Sequence, residues 1–123
     1  MSELTISTAD GGRWVRPGSE LAGQAAWYLD EEADAIELRL FWLCRGDGTD
    51  DHVEVVDCLR VARPAPSGSR SFRFRVPDGP YSFAGSLFTL SWALELVVLP
   101  PGETARLDLT VGPRPVEVRV SAL

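Results

Sequence analysis

The stretch PDGPYSFAGSLFTLSWALEL, residues 77–96, decides which fold the sequence predicts. It opens with two prolines and a glycine, which mark a turn at which a hydrogen-bonded ladder ends. Apolar residues then occupy every second position, namely Phe88, Leu90, Trp92, Leu94 and Leu96. Only an extended strand places residues i, i+2 and i+4 on one side, so these five residues predict a β-strand with one buried face.

The same two-residue alternation recurs on both sides of this stretch. Further strands are predicted around residues 3–9, 21–29, 36–44, 53–61, 72–76, 107–111 and 116–120. Turns rich in proline and glycine separate them, and no segment shows the 3.6-residue period of an amphipathic helix. The pattern therefore predicts an all-β fold, an antiparallel β-sandwich of about eight or nine strands, formed by residues 1–123 as a single domain.

Two of these strands, residues 36–44 and 53–61, are expected to form a hairpin, and matching their apolar faces sets its register. The register pairs Ile36 with Val61, Glu37 with Arg60, Leu38 with Leu59, Trp42 with Val55 and Cys44 with Val53. It points Cys44 and Cys58 to opposite faces, so no disulfide between them is expected. It also places Asp57 inward opposite Leu40, where an unpaired carboxylate is costly. Either a β-bulge turns Asp57 outward or an arginine meets it, and we favour the bulge.

The outer face of this hairpin is unexpectedly apolar. Phe41 lies opposite Val56 in the predicted register, and Leu43 lies one step beyond. A contiguous apolar group rimmed by charges often marks an interface. Two alternatives stay open, since a loop could cover these residues or a bulge could exchange the faces. We take Phe41, Leu43 and Val56 as the candidate contact surface for a protein partner or a second copy.

Composition narrows the classes of partner and compartment. A net charge of −6 disfavours nucleic acid and anionic membranes as partners. No apolar run approaches the roughly 20 residues that a membrane helix needs, so no membrane insertion is expected. The N-terminus lacks the pattern of a secretory signal, and two cysteines without one predict reduced thiols in a cytoplasmic protein.

No constellation of residues predicts catalysis. His52 is the only histidine, and no G-x-S-x-G motif is present, so a hydrolase is not expected. Asp47, Asp50 and Asp51 offer oxygen ligands for Ca²⁺, but their spacing does not fit the EF-hand loop. A solvated acidic hairpin tip is the preferred interpretation. The sequence therefore predicts neither an enzyme nor a bound cofactor or metal.

Aromatic residues raise one alternative function. The alternation of side chains along the predicted strands places three tryptophans, Trp27, Trp42 and Trp92, on inward faces and leaves only Trp14 accessible. Tyr28 falls on an outward face. Because exposed aromatic rings stack on sugars, a carbohydrate-binding module that uses Trp14 and Tyr28 is one alternative to a protein-binding module.

Residues 72–96, FRFRVPDGPYSFAGSLFTLSWALEL, resemble a sandwich domain of the arrestin family. In that family a strand of alternating aromatics runs into a proline, an aromatic-Ser-aromatic-x-Gly group follows, and a long strand carries Trp or Tyr. RPGSELAGQ, residues 16–24, is similar to the family's early Pro-Gly turn and strand. The matching residues are turn and core positions: Pro17, Gly18, Pro77, Pro80, Tyr81, Gly85 and Trp92.

This resemblance implies an immunoglobulin-like sandwich that works as an adaptor or scaffold without chemistry. Full arrestins, and bacterial relatives resembling sporulation-control proteins, carry two such domains, whereas this sequence holds one. Surfaces built between paired domains are therefore not carried over. The expected function is a non-catalytic, protein-binding adaptor or scaffold, with a self-associating structural subunit and a carbohydrate-binding module as alternatives.

Overall fold

A computed structural model describes residues 2–46, 51–100, 102–114 and 118–120, and these residues form ten β-strands and no helix. The strands are β1 (Glu3–Thr8), β2 (Trp14–Val15), β3 (Glu20–Tyr28), β4 (Ala35–Gly46), β5 (His52–Ala62), β6 (Ser67–Arg75), β7 (Phe83–Gly85), β8 (Phe88–Leu99), β9 (Thr104–Val111) and β10 (Val118–Val120). Three of them are only two or three residues long. The predicted all-β sandwich is confirmed, with ten strands in the described residues where the sequence predicts about eight or nine.

The strands form two sheets that enclose a common core. The smaller sheet is antiparallel with the order β1-β3-β6. In the larger sheet β5, β4 and β8 pair antiparallel in that order, and the far edge of β8 pairs with β7 and then with β9. Two parallel pairings, β2 with β9 and β7 with β10, were not predicted. The long strand β5 forms one edge of the larger sheet.

The inward face of β8 lies at the centre of the core, as the opening stretch predicts. Leu90, Trp92, Leu94 and Leu96 are all buried, and Trp92 has no accessible surface. The prediction was wrong for Phe88, which is 45% exposed. Phe88 is the first residue of the strand, and its ring contacts Phe83 at a centroid distance of 4.9 Å instead of entering the core.

Two tryptophans of the core are fixed by hydrogen bonds from their indole nitrogens, since a buried indole N–H needs an acceptor. Trp92 Nε1 donates to the Pro80 carbonyl at 2.8 Å, and Trp27 Nε1 donates to the Ala65 carbonyl at 3.0 Å. Trp27 is buried, and Trp42 is half-buried against the same core. The predicted inward positions of these residues are therefore confirmed.

The β4–β5 hairpin departs from the predicted register at one point. From Ile36 opposite Val61 to Leu40 opposite Asp57 the pairs are those that the sequence predicts. The register then shifts between Leu40 and Phe41. Beyond the shift the pairs are Phe41 with Val55, Trp42 with Glu54, Leu43 with Val53 and Cys44 with His52. The predicted pairs of Phe41 with Val56, Trp42 with Val55 and Cys44 with Val53 were wrong.

The shift is a β-bulge, and Asp57 explains it. Asp57 remains opposite Leu40 but is exposed, and its Oδ1 accepts a hydrogen bond from the Cys58 amide at 2.8 Å. Val56 is the extra residue, and its half-buried side chain packs against the core. The bulge therefore lets the chain bury a valine at this point and leave the carboxylate in water.

Candidate interaction surface

The outer face of the larger sheet carries an apolar group at its centre. Phe41 lies between Val55 on β5 and Ala93 on β8. Leu43 lies one pleat further along β4, next to Val53 on β5. We call these five residues the outer patch.

Burial within the outer patch is uneven. Phe41 and Leu43 are 8% exposed and form, with Ala93, a small apolar cluster separate from the main core. Val53 and Val55 are 54% and 51% exposed. The two groups thus differ in role. The buried side chains form the packed part of the outer patch, and the two valines beside them offer accessible apolar surface.

The structure separates the three residues that the sequence singled out. It keeps Phe41 and Leu43 together on the outer face, but the bulge turns Val56 toward the main core. Val56 is therefore placed on the wrong face by the predicted register, and Val53 and Val55 were missed. The inward carboxylate predicted at Asp57 was the signal that could have revealed this, since a one-residue slip exchanges the faces of every later residue.

A charged group borders the outer patch toward the start of β4. Glu37 accepts hydrogen bonds from Arg39 Nε at 3.1 Å and from Arg60 Nη1 on β5. The Cys58 thiol lies 3.5 Å from the same carboxylate. The predicted pairing of Glu37 with Arg60 is confirmed.

The charged group shifts two pKa values. Burial raises the pKa of Glu37, but the hydrogen bonds from Arg39, Arg60 and Cys58 outweigh it, so the pKa lies below its ordinary value. Burial, helped by the negative charge of Glu37, raises the pKa of the Cys58 thiol. Cys58 consequently stays protonated at neutral pH, which makes it a poor nucleophile.

The shift at Glu37 leads to a pH-dependent prediction. A carboxylate whose pKa is depressed in the folded state stabilises the fold above its unfolded pKa, and this contribution is lost as the pH falls through the folded value. Glu37→Gln is expected to cost about 1 kcal/mol at pH 7, since the arginine partners are partly exposed. Urea denaturation from pH 7 down to about pH 3 should show the difference from wild type shrinking below the ordinary glutamate pKa. A difference that stays constant across this range would contradict the assigned ion pairs.

On the other side of the outer patch, β9 contributes charges that face it. The Arg106 guanidinium lies over the Phe41 ring at 5.3 Å, and its Nε donates to Asp108 Oδ1 at 2.9 Å. Glu95 on β8 lies between Arg39 and Arg106 in the sheet. Charges of both signs thus alternate along this side of the face.

The residues weighed for catalysis or metal binding do not come together. The His52 ring packs on Trp42 at 5.3 Å, and both cysteines are free thiols, as expected. Among the described residues no group of three or more Cys, His, Asp or Glu is arranged to hold a metal ion. Asp51 pairs with Arg45 at 3.5 Å. Asp47 and Asp50, the other two candidate calcium ligands, lie outside the described residues.

The two residues of the carbohydrate alternative lie far apart. Trp14 lines a cleft of about 420 Å³ beside the start of β3, together with Arg16 and Ala22. Its indole N–H donates to the Gly112 carbonyl at 2.9 Å, and the Arg16 guanidinium covers the ring at 5.5 Å. Tyr28, 60% exposed, ends the same strand, which places it about 20 Å from Ala22. Trp14 and Tyr28 therefore do not form one stacking platform.

The described part of the chain contains no helix long and apolar enough to cross a membrane.

Comparisons with known proteins identify the fold. No protein-family model and no curated protein sequence matches the chain. Among solved structures, Spo0M, a sporulation control protein from Bacillus subtilis, matches with a TM-score of 0.61 at 14% identity over 92% of this chain. The chain spans 50% of the length of that protein. This likeness supports the arrestin-like sandwich fold expected from residues 72–96 and shows nothing beyond the fold.

Two other structures match less well. A β-glucosidase from Listeria innocua in complex with gluconolactone has a TM-score of 0.48 at 12% identity, covering 95% of this chain and 16% of the enzyme. The superoxide reductase neelaredoxin from Ignicoccus hospitalis has a TM-score of 0.42 at 10% identity, covering 88% and 79% of the two chains. Scores below 0.5 do not establish a shared fold.

Proposed function

We propose that this chain is a non-catalytic protein-binding module of arrestin-like fold, and that it engages its partner through the outer patch. The observation that carries the proposal is the pair of half-exposed valines, Val53 and Val55, lying beside their buried cross-strand neighbours Leu43 and Phe41. Single exposed apolar residues are common on any protein surface. Two adjacent ones beside buried apolar side chains form a contiguous apolar group, of the kind found at the centre of an interface.

The surroundings of the outer patch fit an interface rim. Glu37, Arg39 and Arg60 border one end, and Arg106 and Asp108 border the side toward β9. Interfaces combine an apolar centre with a polar rim, and rim charges govern orientation and association rate more than affinity. The outer patch supplies the apolar centre, and the charged residues around it supply the polar rim.

Three further observations support a role without chemistry, exercised in a reducing compartment. Cys58 is exposed and unpaired, which suits the cytoplasm. Its thiol donates toward Glu37, and its raised pKa disfavours the thiolate that catalysis needs. His52 is packed on Trp42 at the far end of the hairpin, away from Cys58.

An affinity capture with matched variants tests this function. The tagged protein is cross-linked in extract of the source organism, and the captured proteins are compared between wild type and the double variant Val53→Glu/Val55→Glu. Both valines are more than half exposed, so the variant is expected to fold and to lose the specific partner. The control, Gln24→Glu, places one new charge on an exposed position of the smaller sheet and should capture as wild type does. Identical capture by wild type and the double variant would place the interface elsewhere.

A further inference from the structure

We infer that the occupant of the outer patch is a second copy of this chain, with the two larger sheets packed face to face. This inference rests on the proposed function, because it names the partner of the same surface. A twofold pair of this kind brings identical surfaces together, so the surface must be complementary to itself. Two properties of the outer face support such a pair. Its charges make it complementary to itself, and its size is sufficient for a specific interface.

The first property is the net charge of the outer face compared with that of the whole chain. Four arginines flank the outer patch, namely Arg39, Arg45, Arg60 and Arg106, and four acidic residues lie among them, namely Glu37, Asp51, Glu95 and Asp108. Four positive and four negative charges leave this face neutral, although the chain carries −6. Two copies repel each other over most orientations, and the outer face is one on which they approach without that cost.

The arrangement of these charges is as important as their sum. Arg60 and Arg39 flank Glu37, and Arg106 is paired with Asp108. Each positive group therefore has a negative neighbour on the same face. A partner of strongly single sign meets as many like charges as opposite ones here, whereas a second copy presents the same alternation.

The second property is the size of the face. Four strands, β5, β4, β8 and β9, lie side by side at about 4.8 Å spacing and give a width of about 19 Å. Along β4 the outward residues run from Glu37 to Arg45, about 26 Å. Two such faces bury roughly 1,000 Å² in total, the lower bound for a specific interface. The face is thus large enough for a dimer of moderate affinity.

Edge-to-edge pairing of β5, the edge strand next to the outer patch, is another way in which two copies could join, and the structure disfavours it. The bulge at Val56 interrupts the edge, and the exposed carboxylates of Glu54 and Asp57 flank it. Bulges and charges on an edge strand are the features that prevent pairing with another edge. Around the outer patch, the sheet face is therefore favoured over the edge of β5 for contact with a second copy.

Sedimentation equilibrium of the pure protein, from about 1 µM to about 500 µM, tests the inference. Wild type is expected to pass from monomer to dimer as concentration rises, and Gln24→Glu is expected to match it. Val53→Glu/Val55→Glu should remain monomeric, with dimerisation weakened at least about tenfold. Val53→Thr/Val55→Thr, which keeps the shape and the β-branched side chains, should weaken it in the same direction. Thermal unfolding extrapolated to low concentration confirms that each variant is folded.

The outcomes separate this inference from the proposed function. A wild-type protein that is monomeric throughout, but captures another protein in a manner that depends on Val53 and Val55, overturns the second copy and leaves the proposed function standing. A monomer that captures nothing overturns both. A dimer that both double variants leave intact shows that copies associate through another surface, which also refutes the inference.

Discussion

Replacing Trp92 by alanine is expected to lower the free energy of unfolding by about 3–5 kcal/mol. Trp92 has no accessible surface and lies on the central strand of the larger sheet. The substitution removes the transfer free energy of the indole, leaves a cavity in a close-packed core, and deprives the Pro80 carbonyl of its 2.8 Å donor. Against a total stability of about 5–15 kcal/mol, such a loss is a large fraction.

Urea denaturation followed by circular dichroism measures this effect, and two variants separate its causes. Trp92→Phe keeps an aromatic ring but removes the N–H, so it should cost less than Trp92→Ala while still exceeding the change in Leu87→Ala. Leu87 is 74% exposed, and its truncation should change stability by no more than about 0.5 kcal/mol. If Trp92→Ala unfolds at the same urea concentration as wild type, the inward face of β8 has been misassigned.

The buried face of β8 was predictable, because strict alternation of apolar residues indicates which side of a strand faces the core. Leu90, Trp92, Leu94 and Leu96 satisfy a period of two without interruption, and no helical period competes. The structure buries all four. Phe88 obeys the same alternation, yet it is exposed, since periodicity reports the side of a strand on which a residue lies and not whether another sheet reaches that far.

The outer patch was only half predictable, because it depends on a bulge of a single residue. Phe41 and Leu43 lie before the turn and keep their face whatever β5 does. Val53 and Val55 exchange faces with the register, and the register changes at Val56. Hydrophobic matching alone favoured a continuous ladder, and only the cost of burying Asp57 argued for the shift.

The strand order of the sandwich could not be predicted from the sequence, for a different reason. Trp14 pairs with Thr110 and Val118 pairs with Phe83, both in parallel and across long separations in the chain. Local alternation carries no information about which distant strand supplies the partner backbone. A two-residue strand such as β2 also has no periodicity to detect.

Gly23→Ala is expected to destabilise the smaller sheet by about 3 kcal/mol, at the upper end of the range for overpacking. Gly23 lies on β3, the central strand of that sheet, between β1 and β6. A Cβ atom added there would lie 2.0 Å from the Ser7 carbonyl oxygen and 2.9 Å from Phe72 Cζ. The phenylalanine ring can turn aside, but the carbonyl belongs to the backbone of β1, so that strand has to move.

The second glycine of RPGSELAGQ, Gly23, thus has a physical reason, which is the close approach of the neighbouring backbone of β1. Gly102→Ala is the matched control, since its added methyl group would meet no atom closer than 3.5 Å. It should change the free energy of unfolding by less than about 0.5 kcal/mol. Hydrogen exchange localises the effect, because displacement of β1 should raise the exchange rates of amides paired between β1 and β3 before those of β8. Equal melting temperatures for the two glycine variants would show that β1 yields without cost and that the close approach does not constrain position 23.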